Sequence, residues 1–195
     1  MRSLRHILTL FFLIIITNNS FGQVKLENEI LSGFVKSYFS HNEKDKIYIV
    51  LMKVTVSNEF DTQKRPLSSF HYNGPAIFHM GLKLIDAIMY SDFIEKNKTK
   101  IAVDSIRNLE GNILYLSENE RDMIFKNRGW ETFRFRYGER PLVSLSRPGI
   151  NVKKNRALIY FEYSTDGLAG IGMYVILDKL NGKWLVKESM EVWES

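Results

Sequence analysis

Glu162 is a lone carboxylate in an otherwise apolar run from Ala157 to Tyr163. A buried carboxylate must be ion-paired, hydrogen-bonded or shifted in pKa, because an uncompensated charge in an apolar interior is prohibitively costly. Arg147 and Arg134 are the arginines that could pair with it. The reading is a structural ion pair, with a ligand-facing or acid/base carboxylate as the alternative. A second constellation interleaves rings and cations: Trp130, Phe133, Arg134, Phe135, Arg136, Tyr137 and Arg140. That mixture can stack on bases and contact phosphates. It also describes an amphipathic segment that buries its rings and leaves arginines at the rim, which is the primary reading. Glu162, Arg147, Arg134, Arg136 and Trp130 are thus the candidate ligand-binding residues, and no catalytic residue is assigned.

Other reactive types lack the spacing that chemistry requires. Asp166-Gly167-Leu168-Ala169-Gly170-Ile171-Gly172 has the glycines of a phosphate loop, but it precedes a strand-like run. No helix N-terminus, lysine or hydroxyl follows in the required places, so it reads as a hairpin loop with a bulge. His41, His71 and His79 form no H-E-x-x-H or comparable pair, although His71 and His79 flank the turn Asn73-Gly74-Pro75. Neither G-x-S-x-G nor S-x-x-K occurs, and Ser146 beside Arg147 reads as a turn residue. No metal and no cofactor is expected.

The elements that must position these residues are legible from periodicity. Val24, Leu26, Ile30, Leu31, Phe34, Val35 and Tyr38 share one stripe at helical spacing, which predicts an amphipathic helix over 24–39 packed on a sheet. Ile47 to Val56 reads as a strand, Glu59 to Pro75 as an irregular loop, and Leu82 to Ile94 as a helix. Ile101–Ile106 and Ile113–Leu116 read as a short hairpin around Asn108–Asn112. Ser117-Glu118-Asn119-Glu120 is a capping box that should start a helix, and Trp130–Tyr137 should form another, with a strand as the alternative. Leu142–Leu145 reads as a short strand, and Ala157–Tyr163 as a central strand covered on both faces. Asn181-Gly182 joins Gly172–Leu180 to Lys183–Trp193 as a tight hairpin, in whose last strand Trp184, Val186, Met190 and Val192 should face one core. These elements predict an α+β fold in which helices pack on an antiparallel sheet ending in a C-terminal meander.

The pattern Leu145-Ser146-Arg147-x-Gly149-x-Asn151, Ala157-Leu158-Ile159-Tyr160, Gly170-x-Gly172-x-Tyr174-Val175, Asn181-Gly182-Lys183-Trp184 and Trp193-x-Ser195 resembles exported bacterial proteins of unassigned function. Ile124-Phe125 and Gly129-Trp130-x-x-Phe133 are similar to them too, so the resemblance spans roughly residues 117 to 195. It implies a C-terminal sheet and export, and no reaction. In that group the glycine-rich turn often carries cysteines; Leu168-Ala169 stand there in this chain, so no disulfide or redox role carries over.

The first twenty-two residues supply an address. Arg2 and Arg5 precede an apolar run from Ile7 to Ile16, and Ser20 and Gly22 sit three and one before a cut at Gly22/Gln23. This is the pattern of a secretory signal peptide, with an apolar run short of the roughly twenty residues that span a bilayer. Cleavage would leave a single domain over 23–195, of about +3 net charge once Arg2 and Arg5 are gone, and with no transmembrane segment. The chain has no cysteine, which excludes disulfides, a thiolate metal site, a cysteine nucleophile and a lipidated cysteine. An exported protein without disulfides fits a bacterial periplasmic or extracellular setting. Export argues against nucleic acid, so a functional ring-and-arginine patch would meet an anionic glycan, a lipid head group or an acidic surface of another exported protein. The leading expectation is a non-enzymatic binding or interaction module. An exported hydrolase with a site near Glu162, Arg147 and the His71/His79 loop is the alternative. An inhibitor or immunity-type partner of another exported protein is a third, and would show an exposed apolar patch or free sheet edge.

Overall fold

A computed structural model describes residues 22–40, 47–56, 84–103, 111–126 and 128–195. The fold is α+β. Helix α1 (22–39) leads into strand β1 (Ile47–Met52), helix α2 (Ala87–Lys96), strand β2 (Gly111–Leu116), and helices α3 (Glu118–Lys126) and α4 (Trp130–Tyr137). Strands β3 (Leu142–Leu145), β4 (Gly149–Ile150), β5 (Arg156–Asp166), β6 (Ala169–Leu180) and β7 (Lys183–Glu194) complete the chain. The seven-stranded sheet runs β2-β1-β3-β5-β6-β7, with β4 alongside β5. No described helix is long and apolar enough to cross a membrane.

Local signals set most of these boundaries. The Ser117 hydroxyl accepts from the Glu120 backbone N–H at 3.3 Å and caps α3, while the Glu120 carboxylate accepts from Tyr137 and Arg136, so the serine half of the expected box is what forms. Helix α2 starts at Ala87, where Asp86 caps it by accepting from the Met89 N–H at 2.7 Å; Leu82, the expected start, lies outside the described residues. Asn181 (φ 50°) and Gly182 (φ 79°) take the paired left-handed conformations of a tight hairpin turn between β6 and β7.

Alternation along the strands assigns the two faces. Ile47, Ile49 and Leu51 of β1, Val143 and Leu145 of β3, Ala157, Ile159 and Phe161 of β5, and Val175 and Leu177 of β6 form one continuous core with Ile30, Leu31, Phe34 and Val35 of α1. Gly33 lets α1 settle directly on β7, since a Cβ there would overlap the Cβ of Trp184. The opposite face carries two separate cores. Helix α2 places Met89 and Phe93 over Leu158, Tyr160, Tyr174 and Ile176, while α3 and α4 place Ile124 and Phe133 over Val50, Met52 and Leu116.

Two sequence expectations change. Strand β2 lies parallel to β1 in register Ile47↔Gly111 to Met52↔Leu116, so 113–116 finds a partner in β1, and of the expected 101–106 strand the described part, 101–103, bridges Val54 through Ala102. In β7, register shifts at Gly172/Met173 and Ile176/Leu177 act as bulges. Trp184 and Val186 therefore pack under α1 while Met190 and Val192 pack in the α2 core. The expected loop at 59–75 and the 104–110 segment lie outside the described residues.

Candidate functional site

The candidate residues divide among three places. Arg147 follows β3 at the margin where α1 and the end of α2 meet. Its Nε and Nη2 donate to the two carboxylate oxygens of Glu27 at 3.1 Å each, a bidentate pairing, and its Nη1 donates to the Lys96 carbonyl. Lys96 reaches Glu27 at 3.5 Å and Asp92 at 2.7 Å. Asn97 closes the network by donating to the Arg147 carbonyl and accepting from its backbone N–H. Two cations and two carboxylates offset one another there, with the Glu27 side chain only 1 % exposed. The arrangement holds α1, α2 and the β3–β4 connection together, and Arg147 belongs to this tie.

Glu162 lies on the other side of β5, opposite Ser144 of β3 and Gly172 of β6. It accepts from the Tyr160 hydroxyl at 3.0 Å, and that hydroxyl accepts from the Trp193 indole N–H at 2.8 Å. The carboxylate expected to pair with Arg147 or Arg134 thus accepts from a tyrosine hydroxyl, while Arg147 is held by Glu27 and Arg134 by Asp166 and Glu139. Burial, then the neighbouring Glu162 charge, pushes the Tyr160 phenol well above its ordinary value, so it stays a neutral donor. Gly172 makes the geometry possible: a Cβ there would collide with the Trp193 indole. Ser144, Glu162 and Ser164 are half-buried and form a polar seam between the two cores of this face.

Trp130, Arg134 and Arg136 sit on α4 at the end of the molecule formed with the β5–β6 turn. The Trp130 indole flanks Gly167 of that turn and packs edge-on to Phe125 and Phe133, with ring centroids 5.2 and 5.1 Å away. Arg134 donates to Asp166 and holds that carboxyl below its ordinary range, helped by the Gly167 backbone N–H. Arg136 reaches Glu120, Arg128 reaches Glu131, and Arg134 also lies 3.6 Å from Glu139. Tyr137 donates to Glu120 at 2.7 Å; burial and this bond push its phenol up to about 12. Helix formation separates the rings as the amphipathic reading expects, with Phe133 buried and Trp130 and Tyr137 half-buried. Phe135 departs from it at 91 % exposed, and Leu168 on the adjoining turn is 86 % exposed.

His41, His71 and His79 lie outside the described residues. Among the described residues no three His, Cys, Asp or Glu side chains group as metal ligands would. The Asp166–Gly172 stretch is a β5–β6 hairpin with a register shift between Ser164 and Asp166, as its glycines suggested. Sequence reasoning overlooked Glu27, Tyr160 and Trp193. Glu27 had a signal, since it stands three, four and seven residues before Ile30, Leu31 and Phe34 on the apolar stripe. No family model matches this chain, and neither does any curated protein or solved structure.

Proposed function

We propose that the protein is an exported, non-catalytic interaction module that engages another exported protein through the surface shared by α4 and the β5–β6 turn. The carrying observation is the exposure of Phe135 and Leu168, 91 % and 86 %, on two elements joined by the Arg134–Asp166 pair and the Trp130–Gly167 contact. Large apolar side chains so fully in water favour a surface that is covered in use. Their neighbours favour a protein as the cover. Arg128, Arg134 and Arg136 each already hold a carboxylate, so the patch is close to electrically balanced and offers little net attraction to an anionic glycan or lipid head group. Rings with paired arginines are also the composition enriched at protein interfaces. The hydrolase alternative lacks Arg147, which Glu27 occupies.

Export follows from the signal-peptide pattern of residues 1–22, with cleavage at Gly22/Gln23 and delivery to the periplasm or beyond. The test is capture from the exported fraction with the wild type, with Phe135→Asp/Leu168→Asp, and with Val152→Asp. Val152 is 72 % exposed on the separate turn before β5 and serves as a control. A protein retained by wild type and Val152→Asp but lost with the double variant supports the reading. Retention by the double variant, or no specific capture by the wild type, sinks it.

A further inference from the structure

We infer that Gln23 becomes a pyroglutamyl residue once the leader is removed, so that the exported protein begins with an uncharged lactam. The inference rests on the export reading, and specifically on the cut at Gly22/Gln23. It goes beyond that reading because it assigns a covalent modification to the new terminus.

The chemistry follows from the residue. A glutamine with a free α-amine can close a five-membered ring: the amine nitrogen attacks the side-chain carbonyl carbon Cδ and a new C–N bond forms. The Cδ–Nε2 bond then breaks, and a proton from the attacking nitrogen passes to the departing one, which leaves as ammonia. Nothing is oxidised or reduced and no co-reactant is consumed. A cut one residue to either side exposes Gly22 or Val24, neither of which has a side-chain carbonyl to close upon.

The surroundings fit both the reaction and its product. Gly22, Gln23 and Val24 are exposed, and among the described residues no atom lies within 4 Å of the position a Cβ on Gly22 would take, so a ring at Gln23 has room. After the cut Gln23 is the first residue of α1. That helix position tolerates a ring closed onto the backbone nitrogen, which is why proline is favoured there. A free α-ammonium would place positive charge at the positive end of the helix dipole, and the lactam removes it. Ring closure also withdraws the Gln23 Nε2 donor from Glu27 Oε1, now 3.3 Å away. Glu27 keeps both Arg147 bonds and the Lys96 contact, so the buried tie survives the loss. The product resists aminopeptidases, and the segment it protects is the helix that covers the larger core.

The test expresses the full chain with its leader in a secreting bacterium and measures the intact mass and aminopeptidase susceptibility of the exported protein. Gln23→Asn, which cannot form the five-membered ring, is made in parallel. The expected result is a chain of residues 23–195 lighter by one ammonia and blocked to the peptidase, while the Gln23→Asn protein keeps its full mass and is trimmed. Residues 23–195 at full mass with an open terminus would overturn the cyclisation and leave the export reading standing. An exported or retained chain that still carries residues 1–22 would overturn the cut itself and this inference with it.

Discussion

The two faces of the sheet solve the same burial problem differently. Beneath α1 the core is one unbroken layer, with Phe34, Tyr38, Phe39 and Phe161 in mutual ring contact at centroid distances between 4.7 and 6.4 Å. On the opposite face α2 covers one apolar patch and α3 with α4 another, and between them run Ser144, Glu162 and Ser164. A continuous face buries its strands under a single helix. A divided face leaves side chains that are positioned by the cores but not consumed by them. The Trp193–Tyr160–Glu162 chain and the α4 surface with Phe135 both belong to the divided side. The contrast places these unconsumed side chains where packing is interrupted.

The strongest way to break the comparison is to cut the tie that joins helices of both sides. Arg147→Met would leave the Glu27 carboxylate, 1 % exposed, with Lys96 as its remaining cation. Removing one partner of a buried pair costs about 3–5 kcal/mol, because the other charge stays buried without compensation. Urea unfolding should show that loss, and adding Glu27→Leu should recover a large part of it. A single-variant cost below about 1 kcal/mol would mean that the network does not hold α1 and α2 together.

A smaller effect isolates the seam. Gly172→Ala would drive a methyl group into the Trp193 indole, and overpacking of this sort costs about 1–3 kcal/mol. Pairing it with Trp193→Ala removes the clash, so the double variant should be less sensitive to the added methyl than the wild type is. Full additivity would show that the indole does not rest on Gly172 in solution.

What could be read in advance was local. The α1 stripe from Leu26 to Tyr38, the Ser117 cap and the Asn181-Gly182 turn are each set by residues close in sequence, and each formed, whereas Val24 at the head of the stripe is exposed and Glu120 turns away from the cap. The pairing of β2 with β1 was hidden because its partner strand is some sixty residues earlier, and the expectation that neighbours in sequence pair favoured a hairpin. A bulge defeated the parity argument in β7, since one extra residue turns the following side chains to the other face. Glu162 was rightly marked as needing a partner, yet its hydroxyl donor belongs to Tyr160, one turn of the pleat away and counted as apolar. Trp193 was invisible for the same reason that β2 was: the indole meets Tyr160 only after β5, β6 and β7 align.

The subtlest difference between the faces should emerge in alkali. Tyr90, Tyr137, Tyr160 and Tyr174, whose phenols are raised, belong to the divided face, and Tyr38, also raised, lies under α1. A phenol whose folded value exceeds its unfolded one keeps its proton longer in the native state. Its contribution is therefore complete below the ordinary value of 10.0 and is lost as pH rises through the folded value. For Tyr137 that window runs from 10.0 to about 12, with burial and the Glu120 hydrogen bond as the causes. Tyr137 is only half-buried, so its share of the stability is modest. Unfolding midpoints measured between pH 10 and about 12 should fall with rising pH. Tyr137→Phe should flatten that fall, and Tyr160→Phe should flatten it too from 10.0 upward, because the unfolded phenol titrates at the same ordinary value, with an effect that extends to higher pH. Tyr38→Phe should change the profile less than Tyr160→Phe, because the Tyr38 side chain is half-buried where that of Tyr160 is buried. If Tyr38→Phe flattened the curve as much as Tyr137→Phe and Tyr160→Phe together, alkaline sensitivity would not separate the two faces.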